Sequence, residues 1–138
     1  CKYIYEPAGN KLEEAYYYSD GSLDYKRIYK YDSAGNRIEY AYYDSYGSLS
    51  SKTIYKYDSA GNCIEEAWYN SVGSLVYIYK YDSDGNMIEW TWYNSDGSLD
   101  YKWIYKYDST ENLIEKTEYL SEALIPQSQT VYEITYRK

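Results

Sequence analysis

The sequence predicts an all-β fold, an antiparallel β-meander of about eleven strands forming an open, twisted, single-layer sheet, and three observations carry that reading. All eight glycines fall on one grid, Gly9, Gly21, Gly35, Gly47, Gly61, Gly73, Gly85 and Gly97, at intervals of 12 or 14 residues. Each sits in a turn-like tetrad such as Ser33-Ala34-Gly35-Asn36 or Ser95-Asp96-Gly97-Ser98, the residue chemistry of tight hairpins. Between the turns lie stretches of strand length rich in tyrosine and isoleucine, and the two-strand unit recurs about every 26 residues. A unit this small cannot bury enough surface alone, so its stability comes from neighbours.

Taken in order, strands are expected near residues 2–6, 11–18, 23–32, 37–44, 49–58, 63–70, 75–82, 87–94, 99–108, 113–120 and 130–137. The first ends at Pro7-Ala8-Gly9-Asn10, and the second at Ser19-Asp20-Gly21-Ser22. From the third onward the odd strands close on Tyr-Asp, at Tyr31-Asp32, Tyr57-Asp58, Tyr81-Asp82 and Tyr107-Asp108. From the fourth onward the even strands carry Ile-Glu near their start, as in Ile88-Glu89-Trp90-Thr91-Trp92-Tyr93. Helix is excluded because the windows between glycine turns are too short and are filled with β-branched and aromatic residues. A ninth turn, Ser109-Thr110-Glu111-Asn112, keeps the frame with Glu111 where glycine is expected. Ser121 to Gln129 breaks the pattern with Leu124, Ile125 and Pro126, so residues 121–138 read as a C-terminal cap over the last edge. The regular period without a composition break makes residues 1–138 one domain of about five two-strand repeats.

Turn chemistry bears on which side chains share a face. Asp32-Ser33-Ala34-Gly35-Asn36 suits a type I turn followed by a left-handed glycine, a three-residue loop in which Asp32 opposes Asn36. Odd residues then stay with odd across the sheet. Eighteen of the 25 tyrosines are odd-numbered and ten of the eleven isoleucines are even-numbered, giving a tyrosine face and a face of isoleucine, lysine and tryptophan on which Trp90 opposes Lys102 and Lys52 opposes Trp68. A four-residue loop would instead flip parity at each turn, placing Lys30 against Glu39 and Tyr29 beside Tyr40, and would call for a sheet that curls or is covered by a dimer partner.

Composition narrows function. The 138 residues carry a net charge of −8, with 25 tyrosines, four tryptophans and no phenylalanine or histidine. The pI near 4.5 and the lack of a basic cluster argue against nucleic acid and anionic membrane surfaces as partners. No apolar run approaches the length of a membrane-spanning helix. Without histidine, Ser-His and Cys-His nucleophile systems are excluded. Glu13-Glu14 and Glu65-Glu66 are the visible carboxylate pairs, but neighbours on a strand point to opposite faces, so neither converges in the manner of a glycosidase pair. No enzyme activity, cofactor or metal is expected. Asp82-Ser83-Asp84-Gly85-Asn86 is similar to the start of a calcium loop, but Met87 stands at the sixth position, where that loop has glycine, and turn formation explains the aspartates. Cys1 and Cys63 sit in different repeats and indicate no disulfide framework. Cys1 is either the lipid-bearing cysteine of a bacterial lipoprotein or an ordinary strand position, since Cys1 to Tyr5 align with Arg27 to Tyr31.

The stretch Tyr31-Asp32-Ser33-Ala34-Gly35-Asn36-Arg37-Ile38 and its copies at Tyr57, Tyr81 and Tyr107 resemble the YD repeats of Rhs-type proteins. In those secreted or surface-associated proteins the repeats build β-hairpin sheets that form shells or serve in adhesion and carbohydrate binding. About five copies are too few for a shell, so the resemblance implies a secreted or envelope-displayed repeat module. Trp68-Tyr69-Asn70-Ser71-Val72-Gly73-Ser74-Leu75 and its copy from Trp92 are also similar to choline- and glucan-binding cell-wall repeats, although those are nearer 20 residues long. Trp68, Trp90, Trp92, Tyr40 and Tyr42 share one parity around the middle strands and are the candidate ligand-binding residues for a carbohydrate or protein partner. The competing readings are cross-strand packing within a structural spacer, and a homodimer formed through a sheet face or edge.

Overall fold

The computed structural model describes residues 1–120 and 126–133, and everything below concerns these. They form eleven strands: β1 Lys2–Tyr5, β2 Lys11–Tyr17, β3 Leu23–Tyr31, β4 Arg37–Tyr43, β5 Leu49–Tyr57, β6 Cys63–Asn70, β7 Leu75–Tyr81, β8 Met87–Tyr93, β9 Leu99–Tyr107, β10 Leu113–Leu120 and β11 Pro126–Val131. Each pairs antiparallel with its sequence neighbours in one open sheet of order β1 to β11. The first ten strands end within a residue or so of the expected limits. The eleventh is a correction: it starts at Pro126, so Ser128 and Gln129 face Glu118 and Thr117 in the ladder rather than belonging to an excursion. Proline is tolerated at the first residue of an edge strand. Of the expected cap, residues 121–125 and 134–138 lie outside the described residues.

The turns follow the expected chemistry. The Asp32 N–H donates to the Asn36 carbonyl at 2.9 Å and the Gly35 N–H to the Asp32 carbonyl at 3.1 Å, closing a three-residue loop with Gly35 at φ 89°. The Asp32 carboxylate accepts from the Ala34 and Asn36 N–H groups, each at 2.9 Å, and from the Asn36 side chain at 3.0 Å. These bonds, led by the Asn36 side chain, hold its carboxyl below the usual range. Asp58, Asp82 and Asp108 repeat the arrangement.

The expected register nevertheless fails one step beyond each turn. Tyr31 faces Arg37, but the next pair is Lys30 with Glu39, which leaves Ile38 unopposed in a β-bulge. The same irregularity stands beside the other glycine-type hairpins, leaving Leu12, Asp24, Ser50, Ile64, Val76, Ile88, Asp100 and Ile114 as the extra residue. One extra residue inverts the pleat relative to the partner strand. Tyr29 therefore lies against Tyr40 and Lys30 against Glu39, the arrangement reserved for a longer loop and reached here with a short one. Trp90 opposes Trp103 rather than Lys102, and Trp68 opposes Thr53 rather than Lys52.

The two faces consequently differ in kind. One carries three sets of rings in contact, Tyr16–Tyr25–Tyr42, Tyr29–Tyr40, and the group of Trp68, Tyr77, Tyr79, Trp90, Trp92, Tyr101 and Trp103. The other bears ion pairs of lysines on odd strands with glutamates on even ones, Lys30–Glu39, Lys56–Glu65, Lys80–Glu89–Lys102 and Lys106–Glu115, at 2.7 to 3.0 Å. Between them the small residues Ala15, Ala41, Ala67, Thr91 and Thr117, one per even strand, are buried. Isoleucines flank them, as Ile28 does Ala41 and Ile78 does Ala67. Lysine stems cover apolar surface while their heads stay wet, and Lys26 and Lys52 lie over the Tyr43 and Tyr69 rings at 5.1 and 5.2 Å.

In three of the four Tyr-Asp pairs the tyrosine ties one hairpin to the last. Tyr31, Tyr57 and Tyr107 hydroxyls donate to the backbone carbonyls of Lys11, Arg37 and Met87 at 3.1, 2.9 and 3.0 Å. Those carbonyls open the preceding even strands, beyond the last ladder pairs Glu13–Ile28, Glu39–Ile54 and Glu89–Ile104. Aspartate shapes its own turn and tyrosine staples the neighbouring one, a physical reason for the pair to recur.

Candidate functional site: the aromatic face

Trp68, Trp90, Trp92, Tyr40 and Tyr42 come from β6, β8 and β4, and the sheet does place them on one face. Two bulges lie between successive even strands, so their parity inversions cancel and the even residues stay aligned. The odd strands contribute the residues that sequence reasoning left out: Tyr77, Tyr79, Tyr101 and Trp103 fill the gaps between the tryptophans. All four tryptophans of the chain share this face.

The rings form two tiers. In the first, Trp68, Tyr77, Trp92 and Tyr101 follow one another strand by strand, with centroids 5.5, 5.4 and 5.8 Å apart and planes 5°, 31° and 19° from parallel. Near-parallel rings this close lean over one another in offset stacks. In the second, Trp90 is the hub, 5.6 Å from Tyr79, 4.6 Å from Trp103 and 6.1 Å from Trp92. Its indole N–H is enclosed and has no hydrogen-bond partner among the described residues. The tryptophans are all half-buried although no second layer covers this face among the described residues. The rings bury one another.

Charge is unevenly spread over this face. At the N-terminal end Glu14, buried among rings, binds Lys11 at 3.0 Å and Arg27 at 3.3 Å and accepts from the Tyr29 hydroxyl at 3.2 Å. Hydrogen bonds from Tyr16 and Lys11 hold its carboxyl below the usual range. Arg27 and Arg37 lie 4.8 Å over the rings of Tyr25 and Tyr55. At the other end Lys116 covers Trp103 at 4.3 Å. Glu66 stands between, and burial raises its carboxyl above the usual range. The paired glutamates split across the sheet as expected: Glu65 binds Lys56 on the opposite face, while Glu66 faces Tyr55 and Tyr79. The Asp82 carboxylate is spent on the Asp84 and Asn86 N–H groups and the Asn86 side chain, which is turn chemistry. Among the described residues there is no helix long and apolar enough to cross a membrane.

Residues 69–118 match a family described as protein of unknown function, DUF2963. No curated protein matches the chain. Among solved structures the chain is similar to the Photorhabdus luminescens Tc holotoxin pore, at 15% identity over 94% of this chain with a TM-score of 0.25. It is also similar to a TcdB2–TccC3 complex, at 15% identity over 86% with a TM-score of 0.23. The chain spans 9% and 10% of the length of those two chains. A third similar structure is a Bacteroides fragilis protein of unknown function, BF3112, at 15% identity over 88% of this chain and 92% of that one, with a TM-score of 0.34.

Proposed function

We propose that this chain is a non-catalytic repeat module of a secreted or envelope-displayed, Rhs-like protein, and that its aromatic face engages a carbohydrate or protein partner. The observation that carries this reading is the unbroken run of rings from Trp68 to Trp103, which no second layer covers among the described residues. Tyrosine and tryptophan present large, rigid contact area at low entropic cost and dominate binding hot spots. The repeat's resemblance to YD sequences supports the placement outside the cell.

The test is a titration of tryptophan fluorescence with cell-wall and host glycans and with candidate proteins, the Trp90→Ala Trp92→Ala variant and the milder Trp92→Tyr alongside. A saturable change weakened in Trp92→Tyr, with its unfolding curve unchanged, supports the reading. A flat response throughout favours a structural spacer, the second reading, which the mutual burial of the rings supports.

A further inference from the structure

The repeat is not uniform. Fourteen residues separate Gly21 from Gly35 and Gly47 from Gly61, but only 12 separate Gly73 from Gly85. The shortfall lies in β7, with seven residues where β3, β5 and β9 have nine. Two missing residues preserve the pleat but lower the hairpin tip by roughly 7 Å, at about 3.3 Å per residue. The ladder records the step: Glu39 and Glu89 face Ile54 and Ile104 of the following strand, whereas Glu65 faces Lys80, two positions nearer the turn than Ile78.

The step opens a cleft of about 340 Å³ between the β5–β6 and β7–β8 hairpin tips, lined by Asn62, Cys63, Glu66, Tyr81, Ser83 and Asp84 among others. No cation lines it. Glu66 occupies in the third repeat the place that Glu14 holds in the first, 52 positions earlier in the chain. Glu14 has Lys11 and Arg27 as ion-pair partners; the residue three before Glu66 is Cys63, and the residue facing it from the next strand is Tyr79. The Glu66 carboxylate has no ion pair or hydrogen bond among the described residues. Arg37, the cation whose field reaches it, is engaged with the Tyr55 hydroxyl at 3.1 Å. Burial, reinforced by the Glu66 charge, pushes the Tyr81 phenol up to about 12 and raises the Cys63 thiol.

We infer that this cleft is a binding site for a primary alkylammonium group, with Glu66 as counter-ion and Tyr81 as its aromatic wall. A half-buried carboxylate beside aromatic rings attracts an ammonium through both charge and the ring quadrupole. A metal ion fits less well, because no group of three or more acidic or cysteine side chains converges among the described residues and hard cations need several oxygen ligands. The site stands apart from the tryptophan tiers and does not rest on the reading of that face.

Amide shifts in a heteronuclear NMR titration test it. The probes are Nα-acetyl-lysine methylamide and the free-amine trimer of glucosamine, each beside its N-acetylated counterpart. Saturable shifts at Asn62, Cys63, Glu66 and Gly85 are expected from an amine form and not from the acetylated one. They should be about tenfold or more weaker in Glu66→Gln and preserved in Trp92→Tyr. Whichever amine responds names the source, a protein lysine or an amino sugar. Inserting two residues between Leu75 and Val76, restoring the longer unit, should abolish the response. Equal response to the acetylated probes, full affinity in Glu66→Gln, response to calcium chloride alone, or none to either amine overturns the inference.

Discussion

The two faces of this sheet solve the same problem by different means. A single layer has no interior, yet the Trp90 face hides its rings against one another, while the Glu89 face hides Ala41, Ala67 and Thr91 beneath charged side chains paired across strands. Dispersion and ring geometry hold the first; solvent-dependent electrostatics and lysine stems hold the second. The tryptophan tiers should therefore be insensitive to salt and acid and sensitive to truncation, and the ionic face the reverse.

The largest break in that comparison is Trp90→Ala. Removing the hub of the second tier strips contacts from Tyr79, Trp92, Tyr101 and Trp103, and should cost about 2–4 kcal/mol, the lower end reflecting an incompletely buried ring. Repeats couple only to their neighbours, so the loss should concentrate locally. Hydrogen exchange should show protection falling in β7 to β9 while β2 to β4 stay close to wild type. Uniform loss across the array would mean that the faces are coupled along the whole sheet.

Strand limits and turns were legible because Asp, Gly and Asn leave a local signature that does not depend on partners. The faces were not, because the bulge residue is isoleucine at each Tyr-Asp turn but Asp24, Ser50, Val76 or Asp100 at the turns between, and each of these fits a regular ladder equally well. The five candidate aromatics share one face, as their parity implies, because they all sit on even strands, where paired inversions cancel. Trp103, Tyr77 and Tyr79 were missed because they sit on odd ones. The cleft at Glu66 was visible as a 12-residue interval, but intervals of 12 and 14 are alike in parity and differ only in how far a tip projects.

Glu89→Gln sharpens the ionic half. Burial alone would raise this carboxyl, but hydrogen bonds from Lys102 at 2.7 Å and Lys80 at 3.0 Å outweigh it and hold it below the usual range. A group lowered by folding stabilises above its unfolded pKa, about 4.3, and loses that contribution as pH falls through the folded value. The variant should lose about 1–2 kcal/mol at neutral pH, and little once the pH has fallen below the lowered folded value, with high salt narrowing the gap. Glu66 has the opposite sign: raised by burial, its charge opposes folding above its folded pKa, so Glu66→Gln should leave the unfolding midpoint unchanged or slightly higher at neutral pH. A loss in Glu66→Gln matching that in Glu89→Gln would contradict the unpaired state of Glu66.

The smallest effect lies outside both faces and calibrates the turns that join them. Glu111 holds φ 65° at the position where eight other hairpins place glycine at φ 76° to 94°, and its N–H still donates to the Asp108 carbonyl at 3.1 Å. A left-handed backbone costs a non-glycine residue about 1–2 kcal/mol, and glycine gives back part of that through the greater freedom of its unfolded chain. Glu111→Gly should therefore stabilise by about 0.5–1 kcal/mol, a midpoint rise of roughly 2–5 °C. The gain should appear as slower exchange at the β9–β10 hairpin alone. The reverse change at Gly35, where an added Cβ meets nothing within 4 Å, should cost a similar amount through conformation rather than contact. A Gly35→Ala penalty well above that would show that the tip is pressed against something beyond its own backbone.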